Sequence, residues 1–181
     1  MAIFDPDILV FQQTKNFVKN DFAIYDTAGV QVAHVETGGS TLGRMLAGSR
    51  HLTVFDGPGN PVLQVKDIMT LGRERMDILD GAGNPFATLV KRIAFFRTRI
   101  TLEYRGEELE LDGNLWGFDF QISGPGGVIG TVSRQWSGMG NALLGMSSYA
   151  LVLAPNIDPG HRLAAVGAVL ALDLIREKKD R

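Results

Sequence analysis

The chain contains no cysteine, and this absence excludes several kinds of chemistry together. Disulfides, thiolate nucleophiles, cysteine-based zinc sites and palmitoylation all require the thiol. Histidine is scarce as well, because His34, His51 and His161 are the three in 181 residues, and they stand in no metal-ligand spacing. Residues 38–42, Gly-Gly-Ser-Thr-Leu, miss the G-x-S-x-G nucleophile elbow at the last position. We therefore expect no enzymatic activity, no bound metal and no cofactor.

Long apolar segments and an excess of positive charge are also missing. A bilayer span needs about 20 predominantly apolar residues, whereas the apolar run at 163–172 has ten residues and ends at Asp173. The opening Met-Ala-Ile-Phe-Asp-Pro-Asp has no basic stretch followed by an apolar one, so it is not typical of a signal peptide. The formal net charge is −2, which gives no global reason to expect nucleic acid. These features predict a cytoplasmic protein that is at most peripheral at a membrane.

What the chain does have is a repeated hairpin plan. Three segments run from an alternating strand through an Asp-x-x-Gly turn, at 26–29, 56–59 and 80–83, into a second strand. The aspartate can bond the backbone two residues on, and the glycine supplies a positive φ. A weaker copy begins at Phe118, and residues 100–112 form a further hairpin. No copy completes a phosphate-loop or calcium-loop pattern, so we interpret them as turns within one domain, residues 1–181, of roughly ten to twelve strands.

The chain ends in an apolar helix, which we predict over about 158–178. Asp158 can cap its first amides, and Pro159 suits the first helical position. No face is polar over 163–172, so this helix is enclosed either by protein or by lipid, and we favour protein. Consecutive hairpins and one such helix predict a mainly β protein. The expected fold is a closed antiparallel β-barrel of about 12 strands that encloses the helix, since closure removes exposed strand edges.

The second half of the chain carries motifs in a recognisable order. Gly130-Thr-Val-Ser-Arg134-Gln-Trp136 is followed by Asp158 and by the helix with Asp173. This order resembles the C-terminal half of the phospholipid scramblase family, and the opening strands of the chain are similar too. It also resembles the related LURP-one-related proteins, which share the Tubby-like barrel. The resemblance implies a non-enzymatic, lipid-associated barrel. The family-motif positions that it implies are Gly130, Arg134, Trp136, Asp158 and Asp173.

The segment after Trp136 departs from the scramblase pattern. Scramblases carry an acidic calcium-binding segment there, whereas residues 143–149 contain no carboxylate. Calcium needs several oxygen ligands, so the calcium site does not carry over. A helix that fills the barrel is also not free to span a bilayer. The resemblance to scramblases therefore supports the fold more strongly than it supports lipid translocation.

Basic residues on neighbouring hairpins are the candidate membrane contacts. Each cation near an anionic surface contributes about 1 kcal/mol of attraction, and the basic outer face of Tubby-like proteins implies phosphoinositides or other anionic phospholipids as partners. The alternative is ordinary solvated charge on a soluble β-barrel that serves as a binding or protein-interaction module, with the partly apolar loop 138–146 as a possible contact. The candidate head-group residues are Arg73, Arg75, Lys91, Arg92, Arg97 and Arg99.

Three further features each allow two interpretations. Asp173 is either a helix-exit carboxylate paired with Arg176 or a functional carboxylate in the lumen. His161 is a polar residue at the barrel mouth or a base. Alternation places Glu108, Glu110 and Asp112 on one face of a strand. These three carboxylates either face solvent or form a metal-binding cluster. We favour the structural interpretation in all three cases.

Overall fold

Twelve strands form one closed antiparallel barrel in the computed structural model, which describes residues 5–16, 19–38, 51–70, 73–94, 97–134 and 148–179. Each strand pairs with its neighbours in sequence, and β1 pairs with β12 to close the wall. This confirms the predicted closed barrel. The strands are β1 (Ile8–Asn16), β2 (Lys19–Tyr25), β3 (Gln31–Gly38), β4 (His51–Asp56), β5 (Pro61–Thr70), β6 (Arg73–Asp80), β7 (Pro85–Ala94), β8 (Arg97–Tyr104), β9 (Glu107–Asn114), β10 (Asp119–Gly124), β11 (Gly127–Ser133) and β12 (Ser148–Leu153).

The predicted Asp-x-x-Gly turns close three of the hairpins. In the first, the Gly29 amide donates to the Asp26 carbonyl over 3.1 Å, and the Val30 amide donates to Asp26 Oδ1 over 2.8 Å. Gly29 has a φ of 78°, which a side chain would make costly. The turns at Asp56 and Asp80 repeat this hydrogen-bond pattern. Side-chain and backbone acceptors of the same aspartate therefore hold each reversal.

Strand direction alternates, so the two ends of the barrel differ. The three aspartate turns, the Arg105-Gly106 turn and the start of the helix all lie at one end, which we name the turn end. The connections that follow the odd-numbered strands from β1 to β11 lie at the other end, which we name the far end. The helix runs from the turn end to the far end.

The helix α1 (Pro159–Lys179) lies inside the barrel, and residues 162–175 are all buried. It begins one residue after the predicted start, because Asp158 is the cap and not the first helical residue. The middle of the helix lies close to the wall at Gly167, where an added Cβ would lie 3.0 Å from two carbon atoms of Ile78. Among the described residues, no helix combines the length and the apolar character needed to cross a membrane.

Strand β10 starts one residue later than the sequence pattern predicts. A short 3₁₀ helix, η1 (Leu115–Gly117), precedes it, and Phe118 closes this turn in the left-handed conformation with a φ of 53°. The Asn114 side chain accepts a hydrogen bond from the Gly117 amide over 3.0 Å, which holds the turn. Phe118 is thereby directed into the far end of the barrel, where it is fully buried.

Candidate functional site

Three stacked aromatic rings are buried inside the barrel near its far end. The Phe118 and Tyr149 rings lie 4.4 Å apart at 18°, and the Phe11 ring lies 5.1 Å on the other side of Tyr149. Phe11 and Tyr149 are partners in the β1–β12 register, so barrel closure brings them together. Offset stacking of this kind suits aromatic rings. The stack is a buried aromatic surface beneath the charged groups of the same end.

Two guanidinium groups lie on this aromatic surface. The Cζ atoms of Arg134 and Arg176 are 5.5 and 5.3 Å from the centre of the Phe118 ring, within the range of cation–π attraction. Burial and the like charge of Arg176 lower the pKa of Arg134. The Arg134 Nε is buried and has no hydrogen-bond partner among the residues that the structure describes.

Asp173 and Tyr149 complete this group, and we name Arg134, Tyr149, Asp173 and Arg176 the far-end cluster. Asp173 is 8% exposed. Burial raises its pKa to about 6, although Arg176 and Arg134 both favour the carboxylate. Burial also raises the pKa of Tyr149 well above its usual value, and its Oη has no hydrogen-bond partner within the described part of the chain.

The structure therefore resolves the two interpretations of Asp173 only in part. Arg176 is its charge partner, as the sequence pattern indicates, but Arg134 is a second partner that sequence spacing does not reveal. Asp173 is buried at the far end, near Tyr149, and not exposed beyond the helix end. A carboxyl with a pKa near 6 changes charge close to neutral pH, which an ordinary surface aspartate does not.

Three of the candidate head-group cations share the outer face of the barrel near the far end. Arg75 lies opposite Val90, and Arg92 lies opposite Arg99 in the β7–β8 register. Lys91 instead points inward, with its Nζ 2.7 Å from Glu74 and 5.3 Å from the centre of the Trp116 ring. Arg73 and Arg97 are the first residues of β6 and β8, and their side chains are outside the described set.

Each of the three outer arginines has a carboxylate beside it. Arg99 contacts both Glu108 and Glu110 at 3.1 Å. The ion pairs of Arg92 are looser, at 3.8 Å to Glu103 and 4.0 Å to Glu108, and Arg75 pairs with Asp77 at 2.8 Å. Glu103 and Glu108 lie next to the Arg105-Gly106 turn, so Arg92 and Arg99 extend from the far end toward the turn end to reach them. We name this mixed set of charges the far-end lattice after the position of its arginines: Arg75, Asp77, Arg92, Arg99, Glu103, Glu108 and Glu110.

The acidic face of β9 belongs to this lattice. Leu109 and Leu111 are buried while Glu108 and Glu110 are exposed, as the alternation predicts. Among the described side chains, no three acidic or histidine groups converge on a point where a metal could bind. Glu108 and Glu110 pair with the neighbouring arginines, and Asp112 is exposed on the same face.

His161 is held between two carboxylates at the turn end. Its Nδ1 bonds the Asp158 carboxylate, and its Nε2 lies 3.2 Å from Glu107 Oε2 on the β8–β9 hairpin. Partial burial lowers the pKa of His161, but these two hydrogen bonds outweigh burial and raise it overall. Asp158 also accepts from the amides of Gly160 and His161, which confirms its predicted role as the helix cap. His161 thus clamps the helix start to the barrel wall.

Arg162 is buried, which no pattern in the sequence indicates. Its guanidinium donates to the Pro6 carbonyl over 2.9 Å and to the Asp7 carboxylate, and its Nε donates to the Ile157 carbonyl over 3.1 Å. These contacts join the first described residues to the start of α1. No periodicity links positions 155 residues apart, so sequence spacing offers no signal for the pair.

Two family-motif residues remain, Gly130 and Trp136. At Gly130, an added Cβ would lie 3.1 Å from a Leu151 methyl and 3.2 Å from the Val152 carbonyl, so this position favours glycine. Trp136 and the loop 138–146 lie outside the described residues, as do residues 39–42 of the incomplete nucleophile motif.

Comparisons with known proteins agree with this architecture. A family model described as LURP-one-related matches residues 8–173 of the chain. The X-ray structure of a protein from Arabidopsis thaliana is similar over 99% of both chains, with a TM-score of 0.56 and 14% sequence identity. At that identity the likeness supports the fold alone. No curated protein sequence matches the chain.

Proposed function

Since the chain belongs to the LURP-one-related family, whose members share the Tubby-like barrel, we propose that it is a non-enzymatic domain that binds anionic phospholipid head groups at its far end. The observation that carries the proposal is a separation of charge along the barrel axis. The six cations singled out from the sequence belong to the far-end parts of β6, β7 and β8, and three of them, Arg75, Arg92 and Arg99, are exposed on the outer face.

The turn end has the opposite character. Each of its three tight turns contains an aspartate, and Asp158 before the helix and Glu107 of β9 flank His161, while Arg105 and Arg162 are cations of the same end. A surface with a basic end and an acidic end has a dipole that directs the basic end toward an anionic membrane. This asymmetry supports a bound orientation in which the far end faces the membrane.

The far-end lattice contains three arginines and four carboxylates, so its attraction for an anion depends on how accessible the arginines are. The side chains of Arg75, Arg92 and Arg99 are 49%, 45% and 49% exposed, so their guanidinium groups can reach a ligand while paired. Exposed ion pairs contribute only about 0–1 kcal/mol each. A phosphate can compete for such arginines, since it accepts two parallel hydrogen bonds from a guanidinium. Arg92, with its longer ion pairs, is the most available of the three.

Lipid translocation is not part of the proposal. The helix α1 is enclosed by strands, and its buried residues are committed to the barrel core. The segment that supplies calcium ligands in scramblases has no carboxylate here. Surface binding to head groups needs neither of these.

Liposome flotation tests the proposal directly. We expect the full chain to float with vesicles of equal parts phosphatidylcholine and phosphatidylserine, not with phosphatidylcholine alone, and to be released by salt. The double variant Arg92→Gln/Arg99→Gln should bind about 30-fold more weakly, since two cations contribute about 1 kcal/mol each.

Arg105→Gln is the matched control, because Arg105 is an exposed cation at the turn end. It should bind as the unmodified chain does. If flotation is absent, or if Arg105→Gln weakens binding as much as the double variant, the far-end proposal fails. A stable protein partner captured from solution in the absence of flotation would favour the interaction-module alternative.

A further inference from the structure

Two cavities at the turn end flank the tip of the β8–β9 hairpin. The first, which we name the turn-end cleft, has a volume of about 390 Å³ and lies between the β10–β11 turn and the segment that leads from β12 into α1. The second, which we name the side cavity, has a volume of about 510 Å³ and lies between the start of β7 and the β8–β9 hairpin. Both volumes fall within the range of about 300–1,000 Å³ that is usual for ligand sites. Glu107 lines both cavities, so they adjoin at this residue.

The turn-end cleft combines an apolar lining with two carboxylates. Val128, Ile129 and Ile157 belong to the apolar part, and Val128 is one of the two large apolar side chains that are exposed among the described residues. The carboxylates are Glu107 and Asp158, whose side chains are 47% and 53% exposed. Lysine and arginine side chains match such a cleft, because each has an aliphatic stem and a charged tip.

His161 lies between these two carboxylates, and it is the one lining residue of the turn-end cleft that can carry a positive charge. A single imidazole can neutralise at most one carboxylate, so the cleft keeps a net negative charge. Asp158 is also held by the amides of Gly160 and His161 at the helix start. Glu107 is therefore the carboxylate that is better placed to receive a cation from outside.

The side cavity continues this chemistry on the other side of Glu107. The partly buried Phe86 ring gives it an apolar surface. Glu103 and Glu108 are already paired with arginines of the far-end lattice, at 3.8 and 3.1 Å, whereas Glu107 is not. The charged residues that line the side cavity are Glu103, Arg105, Glu107 and Glu108. Carboxylates thus outnumber cations in the lining of both cavities.

From this geometry we infer that the two cavities form one docking site for an extended basic peptide of a partner protein, with a lysine or arginine side chain in the turn-end cleft beside Glu107. Two adjoining cavities suit a chain that presents several side chains, and an extended peptide directs alternate side chains to the same side. Its apolar residues would pack against Val128 and Phe86. A barrel that binds a membrane by its far end leaves this site facing the solution, so the inference does not depend on the proposed lipid binding.

His161 should make this docking depend on pH. The groups that face it are Asp158 before α1, Glu107 on β9 and the Tyr104 ring on β8, whose centre lies 5.1 Å from that of the imidazole. A protonated His161 competes with the incoming cation for both carboxylates, and a neutral one does not. Peptide binding should therefore strengthen about fivefold as the pH rises from about 6 to about 8.5, the gain expected from one exposed ion pair.

An NMR titration of the isotope-labelled full chain tests the inference. The probe is a short peptide in which arginine alternates with leucine, and the same peptide with glutamine in place of arginine is the control ligand. We expect saturable amide shifts at Phe86, Val128 and Ile129 with the arginine peptide and none with the glutamine peptide. Glu107→Gln should weaken binding about fivefold.

Two further variants separate the site from the general charge of the turn end. Asp56→Asn removes a carboxylate from another turn of the same end, outside both cavities, and should leave the affinity unchanged. His161→Gln should bind in mild acid as tightly as the unmodified chain does in mild alkali. The amide spectrum shows whether each variant is folded. If Glu107→Gln is not, Val128→Ser takes its place, because it alters the apolar lining without touching His161, and weaker binding is again expected.

Three results would overturn the inference. Unchanged affinity in Glu107→Gln would exclude the cleft, and equal weakening by Asp56→Asn would mean that net charge alone attracts the peptide. Spermidine that binds as tightly as the arginine peptide would make a small polycation, and not a peptide, the occupant. None of these measurements involves lipid, so the docking site and the far-end membrane proposal can fail independently.

Discussion

Gly167 lies so close to Ile78 that an added Cβ would be 3.0 Å from two of its carbon atoms and 3.3 Å from a Leu63 methyl. This contact packs the central helix against β5 and β6.

Gly167→Leu should destabilise the fold by about 2 kcal/mol, because overpacking costs about 1–3 kcal/mol and exceeds the gain in helix propensity. Urea unfolding measures the change. Gly126→Ala, where nothing lies within 4 Å of an added Cβ, should change stability little, and equal effects at both sites would contradict this packing.

Removal of residues 158–181 should prevent cooperative folding. The helix buries a continuous set of apolar side chains inside the barrel, and full burial of a large one contributes about 1.5–3 kcal/mol. We expect the truncated chain to be aggregated or to lack a cooperative urea transition. A soluble, monomeric truncated barrel with a sharp transition would show that the wall does not need the helix.

Local chemistry explains which parts of the fold could be predicted from the sequence. Each aspartate turn depends on residues within four positions of one another, as Asp26 and Val30 illustrate. The cap at Asp158 is equally local. The apolar run of the helix has no polar face, so enclosure follows from composition alone.

Of the far-end cluster only the Asp173–Arg176 pair could be predicted, because barrel closure and the Phe118 turn are what bring Arg134 and Tyr149 to it. Arg134 and Arg176 meet on a ring whose direction depends on a left-handed residue that no turn motif marks. The pairing of Arg99 with Glu108 depends on the β8–β9 register. The cations of the far-end lattice can be read from the sequence. Which carboxylates pair with them depends on the register of the strands.

The His161 clamp should make stability depend on pH. Because the folded-state pKa of His161 is raised, its contribution is full below the unfolded pKa of about 6.5 and is lost as the pH rises through the folded value. The side chain is 24% exposed, and we expect a contribution of about 1 kcal/mol or less. His161→Gln should therefore cost more stability in mild acid than in mild alkali, as urea unfolding at both pH values measures. Glu107→Gln should reduce that difference, and a larger cost in alkali would contradict the clamp.

Asp173→Asn should stabilise the protein at neutral pH. Since burial raises the folded-state pKa from 3.8 to about 6, the energetic cost of the charged form grows as the pH rises between these values. The variant should match the unmodified chain near pH 4 and exceed its stability above pH 6 by up to about 3 kcal/mol. Chemical unfolding at a series of pH values checks this. A variant that is less stable at neutral pH would mean that the ion pairs with Arg134 and Arg176 outweigh the burial of the carboxylate.

Glu108→Gln/Glu110→Gln should strengthen binding to anionic vesicles. Both carboxylates contact Arg99, and Glu108 also lies near Arg92, so their removal exposes two guanidinium groups to phosphate. We expect about a tenfold gain in flotation on vesicles with phosphatidylserine and none on phosphatidylcholine alone.

The control for this gain is a pair of substitutions with the same change in charge at the turn end. Asp56→Asn/Asp80→Asn removes two carboxylates there, and asparagine can keep the side-chain acceptor of each turn. If the far end faces the membrane, this pair should gain much less, because its charges lie beyond the screening distance of about 10 Å from the lipid surface. Equal gains for the two pairs would mean that net charge, and not the far-end lattice, governs binding.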